Sequence, residues 1–417
     1  MTSTRNRRNP WIYVPTLYFA EGLPYIIVNI VSTIMYKKMG MPNQFIGFTS
    51  ILYLPWVIKM FWSPAVDIYR TKKFWIINTQ LLMAAGFSIL AFSIDSSQFV
   101  LLTLSAFTAT AFISATHDIA IDGYYMLVLD KKKQAFFLGV RSTCYRLAMI
   151  FGSGILVILA GTIEKRTGSI PLSWTVVMAV PAVIFFCAFL FHRSYLPCPS
   201  SDVPGAASEE SKGFGEAFRT YFRQNKVIPI VAFILLYRLG EAMLVKMASP
   251  FLLDSPQAGG LGLATDTVGY VYGTVGVISL CIGGILGGLL IARFGLKRCI
   301  LPMAIMLNAP DILYVYMAIV HPSIETVYFM VACEQFGYGL GFTAFAVFLM
   351  YIAREPYKTS HFAISTGLMA LGMMLPGMLS GVIQSALGYT GFFVTVLVLT
   401  IPGMILLFFI PLEDNRT

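Results

Sequence analysis

The chain has 417 residues, of which 57% are hydrophobic types and only 12% are charged. A soluble protein carries about a quarter charged residues, so a water-soluble globule with a polar shell is excluded; lipid solvates apolar side chains directly and removes the need for one. The net charge is +9, but most of the Lys and Arg fall in one alternating set of loops and tails. That follows the positive-inside rule and excludes a nucleic-acid-binding patch, since no basic cluster lies on a soluble domain.

In chain order, the basic segment Met1 to Pro10 precedes an apolar stretch, as a signal peptide would. Glu21 interrupts that stretch and no small-residue cleavage site follows, so an uncleaved first span is expected. Apolar runs long enough to cross about 30 Å of hydrocarbon fall near 11–36, 44–66, 74–94, 98–129, 135–162 and 172–195. A polar break follows at 196–225. It opens with PCPSSDVPGAASEESKG, a Pro/Ser/Gly-rich linker, and continues as GFGEAFRTYFRQ. There Phe214, Phe218 and Phe222 lie four apart, flanked by Arg219 and Arg223, as in a short helix lying on a membrane surface; a plain linker helix is the bland alternative. The second set of runs lies near 226–253, 267–292, 299–320, 325–352, 361–387 and 390–412. The six cysteines, Cys144, Cys187, Cys198, Cys281, Cys299 and Cys333, show no disulfide framework and no metal spacing.

This layout predicts an all-α membrane protein of twelve spans in two six-helix bundles, residues 1–195 and 226–417, joined by a cytoplasmic linker at 196–225. Internal echoes support the duplication. LYFAEG (17–22) resembles LYRLGE (236–241), and SPAVDIYRTKK (63–73) stands where GLLIARFGLKR (288–298) stands in the second half. Both loops occupy the place of the Gly-x-x-x-Asp-Arg-x-Gly-Arg-Arg signature of the major facilitator superfamily, which makes Asp67, Arg70 and Arg293 candidate gating-loop residues. Two parallel halves with nested inverted repeats are the architecture this implies.

The functional argument rests on charge inside spans, where an Asp, Lys or Arg costs about 2.5–3.5 kcal/mol on insertion scales. The acids are Glu21, Asp118, Asp122, Glu241, Asp311 and Glu334; the bases are Lys59, Arg141, Arg146, Arg238 and Lys246. Their near balance predicts pairing or a wet cavity, not contact with lipid. In SATHDIAIDGYY (114–125), Asp118 and Asp122 are four apart and share a helix face, where mutual repulsion favours one shared proton; His117 points about 100° away. Counting from the DKKKQ turn (130–134) sets Asp122 level with Arg141 and Asp118 level with Arg146, as a coupling site or as a static brace. Glu21 lies beside Gly22 and Pro24, which interrupt the helix; it is read as part of a binding site, or in the bland case as a partner of Lys59. Arg238 and Glu241, three apart, can pair with each other. Glu334 and Gln335 occupy the place of His117 and Asp118 in the second half. Asp311 follows Pro310 and is expected to cap a broken helix. The glycines of GYGLGF (337–342) mark close helix packing or a bend, without the strand context of a nucleotide loop.

Longer motifs carry a family likeness. Gly22-Leu23-Pro24, KMFWSPAVDIY (59–69), SATHDIAIDG (114–123), YRLAM (145–149), LYRLGEA (236–242) and ACEQFGYGLGFTAFAVFLM (332–350) together resemble the AmpG-type muropeptide permeases, a branch of the major facilitator superfamily. The chain departs from that pattern with His117 for Gln, Met60 for Phe, Phe61 for Leu, Ile68 for Arg, Glu241 for Asp and Gln335 for Asn. The resemblance implies proton-coupled import of peptidoglycan turnover fragments, disaccharides of N-acetylglucosamine and anhydro-N-acetylmuramic acid with attached peptide, across the inner membrane of a Gram-negative bacterium. It carries over Asp118, Asp122, Glu241 and Glu334 by motif position. The expected partners are a small glycopeptide solute, protons and the bilayer. No nucleic acid, cofactor or metal is expected, and the chain is expected to act as a monomer. The substrate and proton-coupling set is thus Glu21, Asp118, Asp122, Arg141, Arg146, Arg238, Glu241 and Glu334. Uptake of a siderophore or another bulky solute is the competing transport reading. A membrane-embedded acyltransferase is the competing enzyme; against it, His117, His192, His321 and His361 show no ligand spacing and no nucleophile–base pair.

The charge placement predicts that both termini and the 196–225 linker lie in the cytoplasm. Cysteines introduced at 39–42, between the first two spans, should be labelled by an impermeant maleimide added to intact cells, whereas cysteines in the linker should be labelled only after lysis. The opposite pattern would reverse the topology.

Overall fold

The computed structural model describes residues 8–199, 202, 214–354 and 357–412, and every described element is helical. The helices are α1 (Pro10–Lys38), α2 (Asn43–Phe61), α3 (Lys72–Ser93), α4 (Phe99–Val128), α5 (Lys132–Thr167) and α6 (Ile170–Tyr195). The short α7 (Phe214–Phe222) precedes α8 (Val227–Leu253), α9 (Thr265–Phe294) and α10 (Leu296–Val320). The last two are α11 (Ile324–Tyr351) and α12 (Ser360–Leu406). Ten of these stretches are long and apolar enough to cross a membrane. The tenth, α12, covers two expected spans, and Gly388 (φ 67°, ψ 175°) breaks the helix between them. The expected span near 325–352 is α11, a continuous helix of 28 residues.

Local chemistry explains where the helices begin. Asn9 accepts a hydrogen bond from the Trp11 amide at 3.1 Å ahead of Pro10, and Thr71 accepts one from the Phe74 amide at 3.1 Å. Asp130 accepts from the Lys133 amide at 2.9 Å, which holds its carboxyl below the usual carboxylate range. These side chains satisfy amide groups that a first turn leaves without partners.

Contacts divide the chain into two compact units, one of Met1–Val31 with Ile58–Ser211, the other of Ser32–Val57 with Lys212–Thr417. The far ends of the first two helices, 32–57, thus group with the second half of the chain. In the first unit α3 lies between α4 and α6, and α1 packs on α4 and α5. Tyr13, Val14, Leu17 and Tyr18 of α1 interlock with Ile121, Tyr124 and Tyr125 of α4 and with Phe137 and Cys144 of α5. The expected interruption at Gly22 and Pro24 is not there: the α-helix runs through both to Ile26, and a wider π-helical turn follows at Ile27–Val31. Gly22 serves packing instead, since a Cβ there would meet the Tyr145 ring of α5 at 3.0 Å.

The second unit is welded by glycine. A Cβ on Gly283 of α9 would lie 2.1 Å from the Phe336 carbonyl of α11, and one on Gly339 of α11 would lie 2.2 Å from the Leu280 carbonyl of α9. The GYGLGF run is therefore a packing surface, not a bend. Beside it, Phe233 and Tyr237 of α8, Met303 and Leu307 of α10, and Phe345 and Phe348 of α11 share one core. The amphipathic α7 docks on this unit through Ala217 and Tyr221, both buried. The Tyr221 hydroxyl meets Ser365 Oγ at 2.9 Å, while Phe218 and Phe222 stay exposed. The Phe214 side chain and residues 203–213 of the linker lie outside the described residues.

Gly339→Leu should force α9 and α11 apart. We expect a loss of about 1–3 kcal/mol or more, seen as a lower unfolding midpoint of the purified protein in detergent. Gly288→Leu, at a position with nothing within 4 Å, should leave the midpoint unchanged.

Candidate functional site

In the first unit α1, α4 and α5 and the end of α2 bring charged side chains together. Arg141 Nη1 meets Asp122 Oδ1 at 3.0 Å, as the depth count predicts. The Tyr18 hydroxyl donates to the same Asp122 oxygen at 3.1 Å. The Arg141 guanidinium lies over the Tyr18 ring, 4.6 Å from its centroid, a cation–π contact that fixes its plane.

Asp118 does not take the partner assigned from depth. Its ion pair is with Lys59, and Arg146 Nη1 is buried without a hydrogen-bond partner. The reason is angular. Asp118 and Asp122 are four residues apart and about 40° apart around α4, whereas Arg141 and Arg146 are five apart and about 140° apart around α5. One face of α5 cannot offer both arginines to one face of α4, so Lys59 reaches in from the end of α2. Glu21 packs its carboxyl against Asp118 and within electrostatic reach of Asp122 and Arg141; Lys59 is thus engaged with Asp118. The pairs are not sealed: side-chain exposure is 15% for Asp118, 32% for Lys59 and Arg141, and 37% for Asp122.

The second unit treats its charges differently. Arg238 and Glu241 do not pair. α8 breaks at Tyr237–Arg238, where Arg238 leaves helical geometry (φ −111°, ψ 22°), so the three-residue spacing no longer stacks the two side chains. Arg238 instead donates to the Tyr338 hydroxyl and sits between the Tyr338 and Phe342 rings, 5.0 Å from each centroid. Its Nε has no partner. Both Glu241 carboxylate oxygens are without hydrogen bonds, and so are both of Asp311. Asp311 is 1% exposed and forms no side-chain cap on the helix that follows it; packing has drawn it inward. Glu334 accepts from Gln335 Nε2 at 3.1 Å and from the Tyr314 hydroxyl at 3.4 Å. Lys246 donates to Thr33 Oγ1 at 3.0 Å.

Two polar networks escape the sequence reading. In the first unit Gln80 meets His117 Nε2 at 3.1 Å and His192 Nδ1 at 2.9 Å, and His192 Nε2 meets Thr16 Oγ1 at 2.9 Å. The polar run Asn78-Thr79-Gln80 inside an apolar stretch is the available signal. In the second unit Lys37 pairs with Asp254 at 2.6 Å. Tyr389 donates to Asp254 at 2.7 Å, and Asn43 Nδ2 donates to Gln384 at 2.7 Å. Lys37 and Asp254 read as loop charges because each stands at the end of an apolar run. Of the gating-loop candidates, Arg70 is exposed with φ 67° and stacks over Phe74. Arg293 is exposed and stacks over Phe294. Asp67 lies in the short helix Ser63–Ile68, with its side chain outside the described residues.

Comparison with known proteins places this arrangement. A family model described as Major Facilitator Superfamily matches residues 16–245. The chain is 27% identical over 397 residues to the Anhydromuropeptide permease of Escherichia coli (strain K12), which covers 94% of this chain and 77% of that protein. It is 23% identical over 413 residues to Putative transporter AmpG 4 of Rickettsia conorii (strain ATCC VR-613 / Malish 7), covering 96% of each. Among solved structures, a D-xylose–proton symporter superposes with a TM-score of 0.73 at 9% identity over 95% of each chain. A bacterial homologue of the human lysosomal transporter Spinster does so with a TM-score of 0.72 at 16% identity, over 95% of this chain and 94% of that one. At such identities the structural likeness carries the fold alone. With more than half of its length matched by the family model, and with AmpG-type transporters similar to it along nearly all of its length, the chain belongs to the major facilitator superfamily.

Proposed function

We propose that this multi-pass membrane protein is a proton-coupled secondary transporter that imports anhydro-muropeptides across the inner membrane, as a monomer with both termini in the cytoplasm. The observation that carries the reading is the Lys59–Asp118 and Asp122–Arg141 pairing on one face of α4, part-open and crowded by Glu21. A third carboxyl beside two ion pairs makes the bonding arrangement bistable. When a proton neutralises Asp118, Lys59 loses its partner and becomes free to hold an anionic group; when the proton leaves, Asp118 reclaims Lys59. A peptide-bearing sugar fragment supplies carboxylates for such a site. Similarity to a protein named Anhydromuropeptide permease supports the choice of solute.

Proteoliposomes with an inward proton gradient should accumulate labelled anhydro-muropeptide, and unlabelled fragment should compete. Accumulation of a siderophore without such competition would overturn the substrate assignment. Asp118→Asn should abolish gradient-driven accumulation while solute counterflow persists; unchanged accumulation would remove Asp118 from the coupling step.

The Lys59–Asp118 pair also predicts a stability pattern. Lys59→Met alone leaves a partly buried carboxylate unpaired, at a cost between the surface and buried limits, about 1–3 kcal/mol. The double variant Lys59→Met with Asp118→Asn should recover most of that loss in the thermal unfolding midpoint. Equal midpoints for the single and double variants would show that the two groups do not act as a pair.

A further inference from the structure

The second unit holds three acids in an environment unlike that of the first. Glu241 and Glu334 are 0% exposed and Asp311 is 1% exposed, and the three carboxyls lie within electrostatic reach of one another. They come from three helices, α8, α10 and α11. Two of them stand beside helix breaks: Glu241 just after the Tyr237–Arg238 interruption of α8, and Asp311 in the 3-10 turn Ala309–Asp311 within α10. The four carboxylate oxygens of Glu241 and Asp311 have no hydrogen-bond partner, and neither does Arg238 Nε.

Among the described residues, the charged and titratable groups that act on them can be named. α8 contributes Arg238, which acts on Glu241, and Lys246, whose Nζ is turned to Thr33. α9 contributes Tyr272, α10 contributes Tyr314, and α11 contributes Tyr338. Among the described residues one guanidinium, that of Arg238, acts on this group, and it acts on Glu241. An isolated carboxylate in an apolar interior is strongly penalised and neutralises instead, so one arginine cannot keep all three ionised. Among the described residues no three such groups converge as the ligands of a metal ion do. The ligand that fits unpartnered carboxylate oxygens in this setting is the proton.

We propose that Glu241, Asp311 and Glu334 form a proton-binding site built within the second unit alone. Asp311 is the member that no motif singles out. Each carboxylate takes one proton on one oxygen, with no other bond made or broken, and Arg238 is the cation that balances Glu241 when it releases its proton. The site deepens the proton-coupled reading by adding a second place where protons are held, and it does not depend on which solute is carried.

The test is infrared difference spectroscopy of the purified full-length chain in lipid nanodiscs, titrated from acidic to alkaline buffer without solute. The wild-type protein should show the carbonyl stretch of protonated carboxylic acids in apolar surroundings at neutral pH, and the band should bleach as the pH rises. Asp311→Asn and, separately, Glu241→Gln should each remove one carboxyl's share of the band, with correct folding checked by circular dichroism and gel filtration. The band should persist in an Asp118→Asn background. A band that does not respond to pH, or a folded Asp311→Asn or Glu241→Gln protein with a wild-type spectrum, would overturn the proposal. Neither result bears on whether anhydro-muropeptides compete for uptake, so the two readings fail separately.

Discussion

An ionisable side chain inside a spanning helix must find an opposite charge, a hydrogen-bond network or a proton, because hydrocarbon offers none of the solvation that water does. This constraint sets which residues of the chain meet. The apolar surface of the helices is generic, and many sequences would place it equally well. The acids and bases of α1, α2, α4, α5, α8, α10 and α11 are not interchangeable, since each meets that constraint in its own surroundings.

The two units meet the constraint by different means. In the first, acids are matched with bases: Asp122 with Arg141, Asp118 with Lys59. Tyr18 serves both sides of one pair, donating to the carboxylate and stacking under the guanidinium. In the second, the arginine goes to aromatic rings and a phenol hydroxyl, and Glu241 and Asp311 are left without hydrogen bonds. An ion pair exchanges partners when one member is neutralised. An unpaired buried acid exchanges only protons. The two units thus carry two chemistries, consistent with a family in which the fold is shared and the site is particular to each branch.

Close backbone packing makes the second arrangement possible. Gly283, Gly337 and Gly339 bring α9, α10 and α11 to within carbonyl contact, which leaves little room for a side chain to reach outward. Asp311 is buried there with neither carboxylate oxygen hydrogen-bonded, whereas Glu334 is held by Gln335 and Tyr314. In the first unit Gly22 lets α1 lie against Tyr145. This keeps Glu21 close enough to Asp118 to crowd the ion pair.

Much of this was legible in the sequence. Helix positions follow from hydropathy, because the thickness of hydrocarbon sets a minimum apolar length. The Asp122–Arg141 pair follows from counting rise per residue along two helices joined by a short turn. Depth is a one-dimensional quantity that sequence carries. Azimuth is not, and the readings that failed did so on azimuth or on continuity. Asp118 turned to Lys59 because the two arginines of α5 lie on different faces. Arg238 missed Glu241 because a break in α8 reset the phase, and Asp311, still at the start of its helix, makes no cap bond and is buried. The sequence by itself determined that charges lie within the membrane-spanning helices, and how far along each helix; only the tertiary structure decided which of them touch, because that depends on helix rotation and on breaks that no spacing along one chain encodes.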